Sequence, residues 1–380
     1  MNTQRSDDQL LNGGVDETAG VEAEPEDPSI IEIERPFNPE KIKVRTVNIV
    51  VEQLVSRIRH HEIDLAPEFQ RMRGIWSKGR KSRLIESLLL RIPIPVFYVS
   101  ADNLDNWAVV DGVQRMSTIF DFVTGEFSFA GLEYLDELLG FKYTELPRNM
   151  RRRINETQLI VNVIEPGTPG EVMFNIFHRI NTGGMTLNGQ EIRHALNPGP
   201  VRDYLRKLAQ GSAFLKATDH SIREERMQDR ECVLRFLAFY TNPWEDYAVN
   251  DLDGFLVDAM KSINKMPEDK LHKLERKFRR TMKAAADIFD DDAFRKRTYV
   301  RHRRKPVNKA LFEAWSVGLA RCSVRDLQEL VKKRIRLRRK FRKLLREDWE
   351  FDMAVSTSTG VPQRVKKRFG EIEALIREVV

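Results

Sequence analysis

One short stretch gathers the residue types that handle anions: Asp111-Gly112-Val113-Gln114-Arg115. A helix beginning just after a strand leaves its first backbone N–H groups without intrahelical partners and aims the positive end of its dipole at whatever lies there. Phosphates and carboxylates bind in such places. In that setting Asp111 serves as a cap or a metal partner, Gln114 as an amide that reads a ligand, and Arg115 as a fork for a phosphate. These residues equally describe an ordinary capped strand-to-helix turn with a surface arginine.

The flanking sequence supplies the elements. Ala108 to Val110 is a short apolar run of buried-strand character. Met116, Ile119, Phe120 and Val123 recur at helical spacing after Gly112. Ile92 to Val99 reads as an extended segment entering a strand, and Asp102 to Asn106 as a turn, so a hairpin feeds the Asp111 turn. Val44 to Val51 predicts a strand and Val51 to His60 a helix. Ser77 suits the N-cap of a helix to about Leu90, Leu146-Pro147 precedes a helix through Ile154, and Leu159 to Ile164 reads as a strand. Two more polar stretches lie at element ends. Gln70 and Arg71 stand between the aromatic anchors Phe69 and Trp76. A helix over 170–180 stops at Asn181-Thr182-Gly183-Gly184, whose backbone can approach a ligand closely. His60 and His61 adjoin and diverge on a helix, which is not a metal-site spacing, so the metal is left unassigned.

The 380 residues carry a formal net charge of +7, unevenly distributed. Residues 1–38 hold ten acidic and two basic residues, whereas 293–346 hold twenty basic and three acidic. The expected organisation is an acidic, mostly disordered tail over 1–40, an α+β domain over 41–200 and a helical, basic domain over 201–380, with a break at Asn197-Pro-Gly-Pro200. Phe351 to Pro362 reads as a Ser/Thr-rich loop and Val365 to Val380 as the last amphipathic helix. No apolar run is long enough to span a membrane and no secretory h-region precedes Gln9. Cys232 and Cys322 sit in helical apolar patterns, as reduced core residues do. The expectation is a cytoplasmic protein without a membrane partner. Lys332, Lys333, Arg334, Arg336, Arg338 and Arg339 form the strongest nucleic-acid-binding candidate, DNA being the expected polymer. The competing reading is a helix neutralised by the acidic tail or by Asp290-Asp-Asp292.

Four stretches in order resemble one family: Pro67-Glu-Phe69-Gln70-Arg71 with Trp76; the following helix with Ile92-Pro-Ile-Pro95; Asp111 to Arg115; and Phe177-His-Arg179-Ile-Asn181-Thr182-Gly183-Gly184 leading to Glu191-Ile-Arg193. They look like the domain of unknown function 262, the N-terminal domain of GmrSD-type restriction enzymes, related to the ParB/sulfiredoxin fold. The usual central motif of that family is Asp-Gly-Gln-Gln-Arg, and Val113 departs from it. The resemblance implies a small mixed sheet with helices, followed here by an all-α domain. It implies nucleotide binding, with NTP hydrolysis and Mg2+ as further expectations, in a DNA-directed, restriction-like phage defence.

By motif match Asp111 and Arg115 are the expected catalytic pair, and Gly112 and Gln114 share the phosphate site. Gln70 and Arg71 form a second wall, and Arg179, Asn181 and Thr182 a third element. The alternative is that Arg71 and Arg115 pair with Glu68, Asp111 or Glu191 and tie the fold together. Restriction members of the family often carry an HNH nuclease domain. After residue 200 the only histidines are His220, His272 and His302, outside any metal pattern, so cleavage is expected from a separate nuclease subunit. No Gly-x-x-x-x-Gly-Lys-Ser/Thr occurs, which excludes P-loop chemistry in this sequence. The other function in view is a non-catalytic nucleic-acid-binding or scaffold protein using the basic C-terminal helices.

Overall fold

The Asp111 turn rises from the end of the strand Trp107–Asp111, which lies next to one edge of a five-stranded mixed sheet. A computed structural model describes residues 20–22, 24, 43–65, 76–102, 104–168, 188–222 and 224–380. The strands are β1 (Val44–Val50), β2 (Ile63–Asp64), β3 (Phe97–Ala101), β4 (Trp107–Asp111) and β5 (Gln158–Ile164), in the order β1-β5-β3-β4-β2. β1 pairs antiparallel with β5, from Val44 against Ile164 to Val50 against Gln158. β3 runs parallel to β5 and antiparallel to β4, and β2 runs parallel to β4.

Helices α1 (Val51–Arg59), α2 (Lys78–Leu89), α3 (Val113–Val123) and α4 (Arg148–Asn155) share one apolar core with the sheet. Val109, Trp107, Phe97, Leu54, Ile85, Met116 and Ile154 all belong to it. Ser77 caps α2, accepting a hydrogen bond from the Arg80 N–H at 3.3 Å. The other side of β4 meets α5 (Gly189–Leu196), where Ile192 packs with Val110 and Ile164. Adjacent valines on β4 are therefore both buried, one under each cover, and the strand reads as an unbroken apolar run. Glu86 of α2 is buried, and its carboxylate accepts from the N–H groups of Glu133, Tyr134 and Leu135 at 2.7–3.1 Å. That clasp fixes the loop beneath the sheet.

The chain divides into two compact units. One holds the described residues of 35–196. The other combines those of 1–34 with 197–380 and is helical. Its helices include α6 (Pro200–Ala209), α7 (Ser212–Ala217), α8 (Gln228–Thr241), α9 (Leu252–Asn264), α10 (Glu268–Phe289) and α11 (Lys309–Arg321). They continue with α12 (Val324–Lys332), α13 (Arg334–Glu347), α14 (Trp349–Ala354) and α15 (Pro362–Val379). One sequence expectation needs correction. Phe351 to Pro362 does not begin as a loop. Asp348 accepts from the Phe351 N–H at 2.9 Å and caps α14, which buries Phe351 completely. The basic run Lys332 to Lys340 is divided between two helices, since Lys333 ends α12 and precedes α13.

A charge network lies inside the helical unit. Arg368 and Glu313 are fully buried and hydrogen-bonded, with Nε to Oε1 at 2.9 Å. Glu313 also pairs with Arg235 at 3.2 Å, and Arg235 pairs with Glu231 at 3.0 Å. A further partner comes from the N-terminal segment. Val21 bridges Val307, and Glu24 meets Arg235 at 2.6 Å and accepts from the Thr359 hydroxyl at 2.8 Å. Burial raises the cost of ionising Glu24, but Arg235 and Lys309 outweigh it and hold the carboxyl below the usual glutamate range.

Candidate functional site

Asp111 ends β4 at an irregularity. Val99 pairs with Val109 whereas Tyr98 pairs with Asp111, so Val110 is an extra residue just before the turn. A bulge of this kind re-aims the end of a strand. Gly112 follows with φ +95° as the cap of α3, its carbonyl accepting from the Met116 N–H at 2.8 Å and with no side chain to cap the helix. A β-carbon at Gly112 would lie 2.4 Å from Phe97 Cδ1, so both the backbone conformation and the space require glycine.

Arg115 reaches back over this turn. Nη2 donates to Asp111 Oδ2 at 2.8 Å and to the Val96 carbonyl at 3.2 Å, and Nη1 donates to the Pro95 carbonyl. The guanidinium centre stands 4.7 Å from the Phe97 ring centroid. Burial lowers the pKa of Arg115 and Asp111 opposes that effect; the side chain is 12% exposed against 32% for Asp111. Arg115 in this conformation braces Asp111 and the β3 entry. Asp111 Oδ1 takes no hydrogen bond among the described residues. The arrangement offers a partly exposed carboxylate beside a helix N-terminus capped by a glycine, suited to a hard cation or to an anion carrying one.

Of the sequence-selected residues, Asp111, Gly112, Gln114 and Arg115 come together in this turn. Gln70, Arg71, Arg179, Asn181 and Thr182, and the helix expected over 170–180, lie outside the described residues. Glu191 forms a reciprocal cap on α5: it accepts from the Asn188 N–H at 2.7 Å while its own N–H donates to Asn188 Oδ1 at 2.9 Å. Sequence reasoning missed Gln190 and His194. Both are buried beside Glu191 and Arg193, and Arg193 Nε donates to Gln190 Oε1 at 3.0 Å. The available signal is four polar residues within a helix whose Ile192 packs on β4.

The basic candidates part into two sets. Lys332 pairs with Glu329 at 2.9 Å, Lys333 donates to the Val379 and Val380 carbonyls at 2.9 and 3.0 Å, and Arg338 pairs with Asp290 at 2.7 Å. Arg334, Arg336 and Arg339 are exposed. Among the described residues no group of three or more His, Cys, Asp or Glu side chains is placed to hold a metal ion, and no helix is long and apolar enough to cross a membrane.

Residues 51–197 match the family described as the GmrSD restriction endonuclease, N-terminal domain. This segment is a GmrSD N-terminal domain. It runs from the first residue of α1 to just past α5 and contains the whole Asp111 turn. The GmrSD domain links the chain to restriction-type defence. No curated protein matches the chain.

Proposed function

We propose that the GmrSD domain binds a nucleoside triphosphate at the Asp111 turn and that the chain regulates a DNA-directed, restriction-like phage defence, with cleavage supplied by a separate nuclease subunit. The observation that carries the reading is the turn itself. A carboxylate with one oxygen available adjoins an α3 N-terminus at which the Gly112 cap position supplies no side-chain hydrogen bond.

The residues fit such a ligand. The first-turn N–H groups of α3 would meet a phosphate. Asp111 Oδ1 supplies the hard oxygen that Mg2+ favours. A bound Mg2+ would neutralise phosphate charge. Arg115, drawn onto Asp111 and two carbonyls, keeps the carboxylate in one orientation, and Gly112 lets the backbone pass close to Phe97. Any hydrolysis would draw on the same carboxylate to orient a water.

The test is a titration of the whole chain with ATP, GTP, CTP and UTP, with and without Mg2+, following binding and phosphate release. Asp111→Asn removes the charge while keeping the shape. The expected outcome is Mg2+-dependent binding that this variant weakens by tenfold or more, on the scale of one lost charge-assisted contact. Equal binding by the variant removes Asp111 from the site, and no binding by the parent chain ends the nucleotide reading.

A further inference from the structure

The outer face of α13 and the loop beside it form a track for cations and a ring. The cations of α13 divide by direction. Arg338 and Arg342 turn inward to Asp290 and Asp292 at 2.7 and 3.4 Å, and Lys340 turns to Glu378. Arg336, Arg339, Lys343 and Arg346 are all exposed. Their spacing of three, four and three residues places them within an arc of roughly 80° along about 15 Å of helix. Two carboxylates border this stripe: Glu347, 3.5 Å from Lys343, and Glu378, whose pKa is lowered first by Lys340 and further by Arg336 and Lys343.

The stripe ends at an exposed aromatic ring. Tyr299 is 45% exposed, and the adjoining Val300 is 64% exposed. The Arg346 guanidinium lies 5.0 Å from the Tyr299 ring centroid, that of Arg301 lies 6.0 Å away, and the His302 ring lies 4.7 Å away. The loop is pinned. Arg346 donates to the Thr298 carbonyl at 3.1 Å, Arg297 to the Val300 carbonyl at 2.6 Å, and the His302 N–H to the Tyr299 carbonyl at 3.1 Å. A partly exposed aromatic ring at the end of a row of cations has the composition of a platform on which an unpaired base stacks, exchanging places with a guanidinium over the ring, while the cations follow its phosphates.

The geometry points to a single-stranded nucleic-acid site on the helical unit, with Arg336, Arg339, Lys343 and Arg346 along the backbone and Tyr299 under a base. It extends the DNA-directed reading above and rests on it only for setting, because the site lies outside the GmrSD domain and its binding is measured without nucleotide.

The experiment follows fluorescence anisotropy of a labelled 20-nucleotide thymidine oligomer with the full chain. Four phosphate contacts give log K a slope against log salt of roughly −3. Tyr299→Ala is expected to weaken binding by at least about fivefold, the lower end of one lost stack. Tyr299→Phe should bind like the parent, and Arg339→Ala with Lys343→Ala should flatten the salt slope. Nucleotide titration of Tyr299→Ala should match the parent whether or not the parent binds nucleotide, so this proposal and the Asp111 reading fail separately. Circular dichroism melts establish that each variant is folded. Unchanged affinity in folded Tyr299→Ala overturns the proposal. So does tighter binding to a duplex of the same length, or equal competition by polyglutamate, since either would make the surface a charge detector without base stacking.

Discussion

The two ends of β4 are built from the same parts and do different work. Where the strand begins, the Arg57 guanidinium lies 3.8 Å from the Trp107 ring, with Glu62 at 3.1 Å and the Asp105 carbonyl at 2.5 Å. Where it ends, Arg115 lies over Phe97 and pairs with Asp111. Both arginines are nearly buried, 14% and 12% exposed. At the first end Asp105 is engaged by Arg45 as well and also accepts from the Trp107 indole at 3.0 Å. At the second end the arginine is satisfied largely by carbonyls, the carboxylate keeps an oxygen, and a helix begins. An arginine on an aromatic face is thus a common fastening. What marks the Asp111 end is a glycine-capped helix start next to a carboxylate that its arginine does not saturate.

The sharpest break in that comparison is Gly112→Ala. It imposes a positive φ on a residue with a β-carbon and drives that carbon into Phe97, so a loss of about 2–6 kcal/mol in denaturant unfolding is expected. Gly125 has φ +83° with nothing near its would-be β-carbon. Gly125→Ala should therefore cost only about 1–2 kcal/mol, the conformational part alone. Equal losses would show that the contact with Phe97 is unimportant.

Next come the arginines. Arg57→Ala and Arg115→Ala each strip hydrogen bonds and ring contact from a nearly buried position, and each should cost about 1–3 kcal/mol. Only Arg115→Ala should also weaken nucleotide binding. Loss of nucleotide binding in both would point to general loosening of the sheet.

The smallest effect concerns acid. At the turn leading into β4, Asp102 accepts from the Leu104 and Asn106 N–H groups at 2.8 Å and from the Asn106 amide at 3.0 Å. Slight burial pushes its carboxyl upward, but these donors outweigh it and hold the pKa below the ordinary aspartate range. A depressed carboxylate stabilises fully above its unfolded value of about 3.9 and loses that contribution as pH falls through the lower folded value. The Leu104 and Asn106 amide resonances should titrate in that acid window, and Asp102→Asn should abolish the transition.

The local parts of this architecture are legible in the sequence. The apolar run before Asp111, the glycine after it and the helical spacing beyond give strand, turn and helix. Ser77 marks its cap. Partners supplied from afar are harder to read. The Pro95 and Val96 carbonyls that hold Arg115 carry no residue-type signal, and the Glu86 clasp joins a helical position to three backbone amides almost fifty residues later. The same limit governs the basic helix. Asp290 and Asp292 are visible as possible neutralisers, but only the fold shows that they take Arg338 and Arg342 while Arg336 and Arg339 face outward. The Phe351 turn of helix is hidden for a different reason. Its Ser/Thr-rich surroundings outweigh a single buried aromatic when windows are read by composition.

Glu24 sets an order of events during synthesis. It leaves the ribosome 211 residues before Arg235 and 335 before Thr359. The GmrSD domain is encoded between them and emerges complete first, as N-terminal domains generally fold. The early glutamate must then wait for its arginine, and Glu313 must wait for Arg368 in the final helix. A chain cut before that helix would leave the buried Glu313 carboxylate with Arg235 as its remaining arginine partner of the two, so this core charge is balanced only once residues far apart in the chain have all been made.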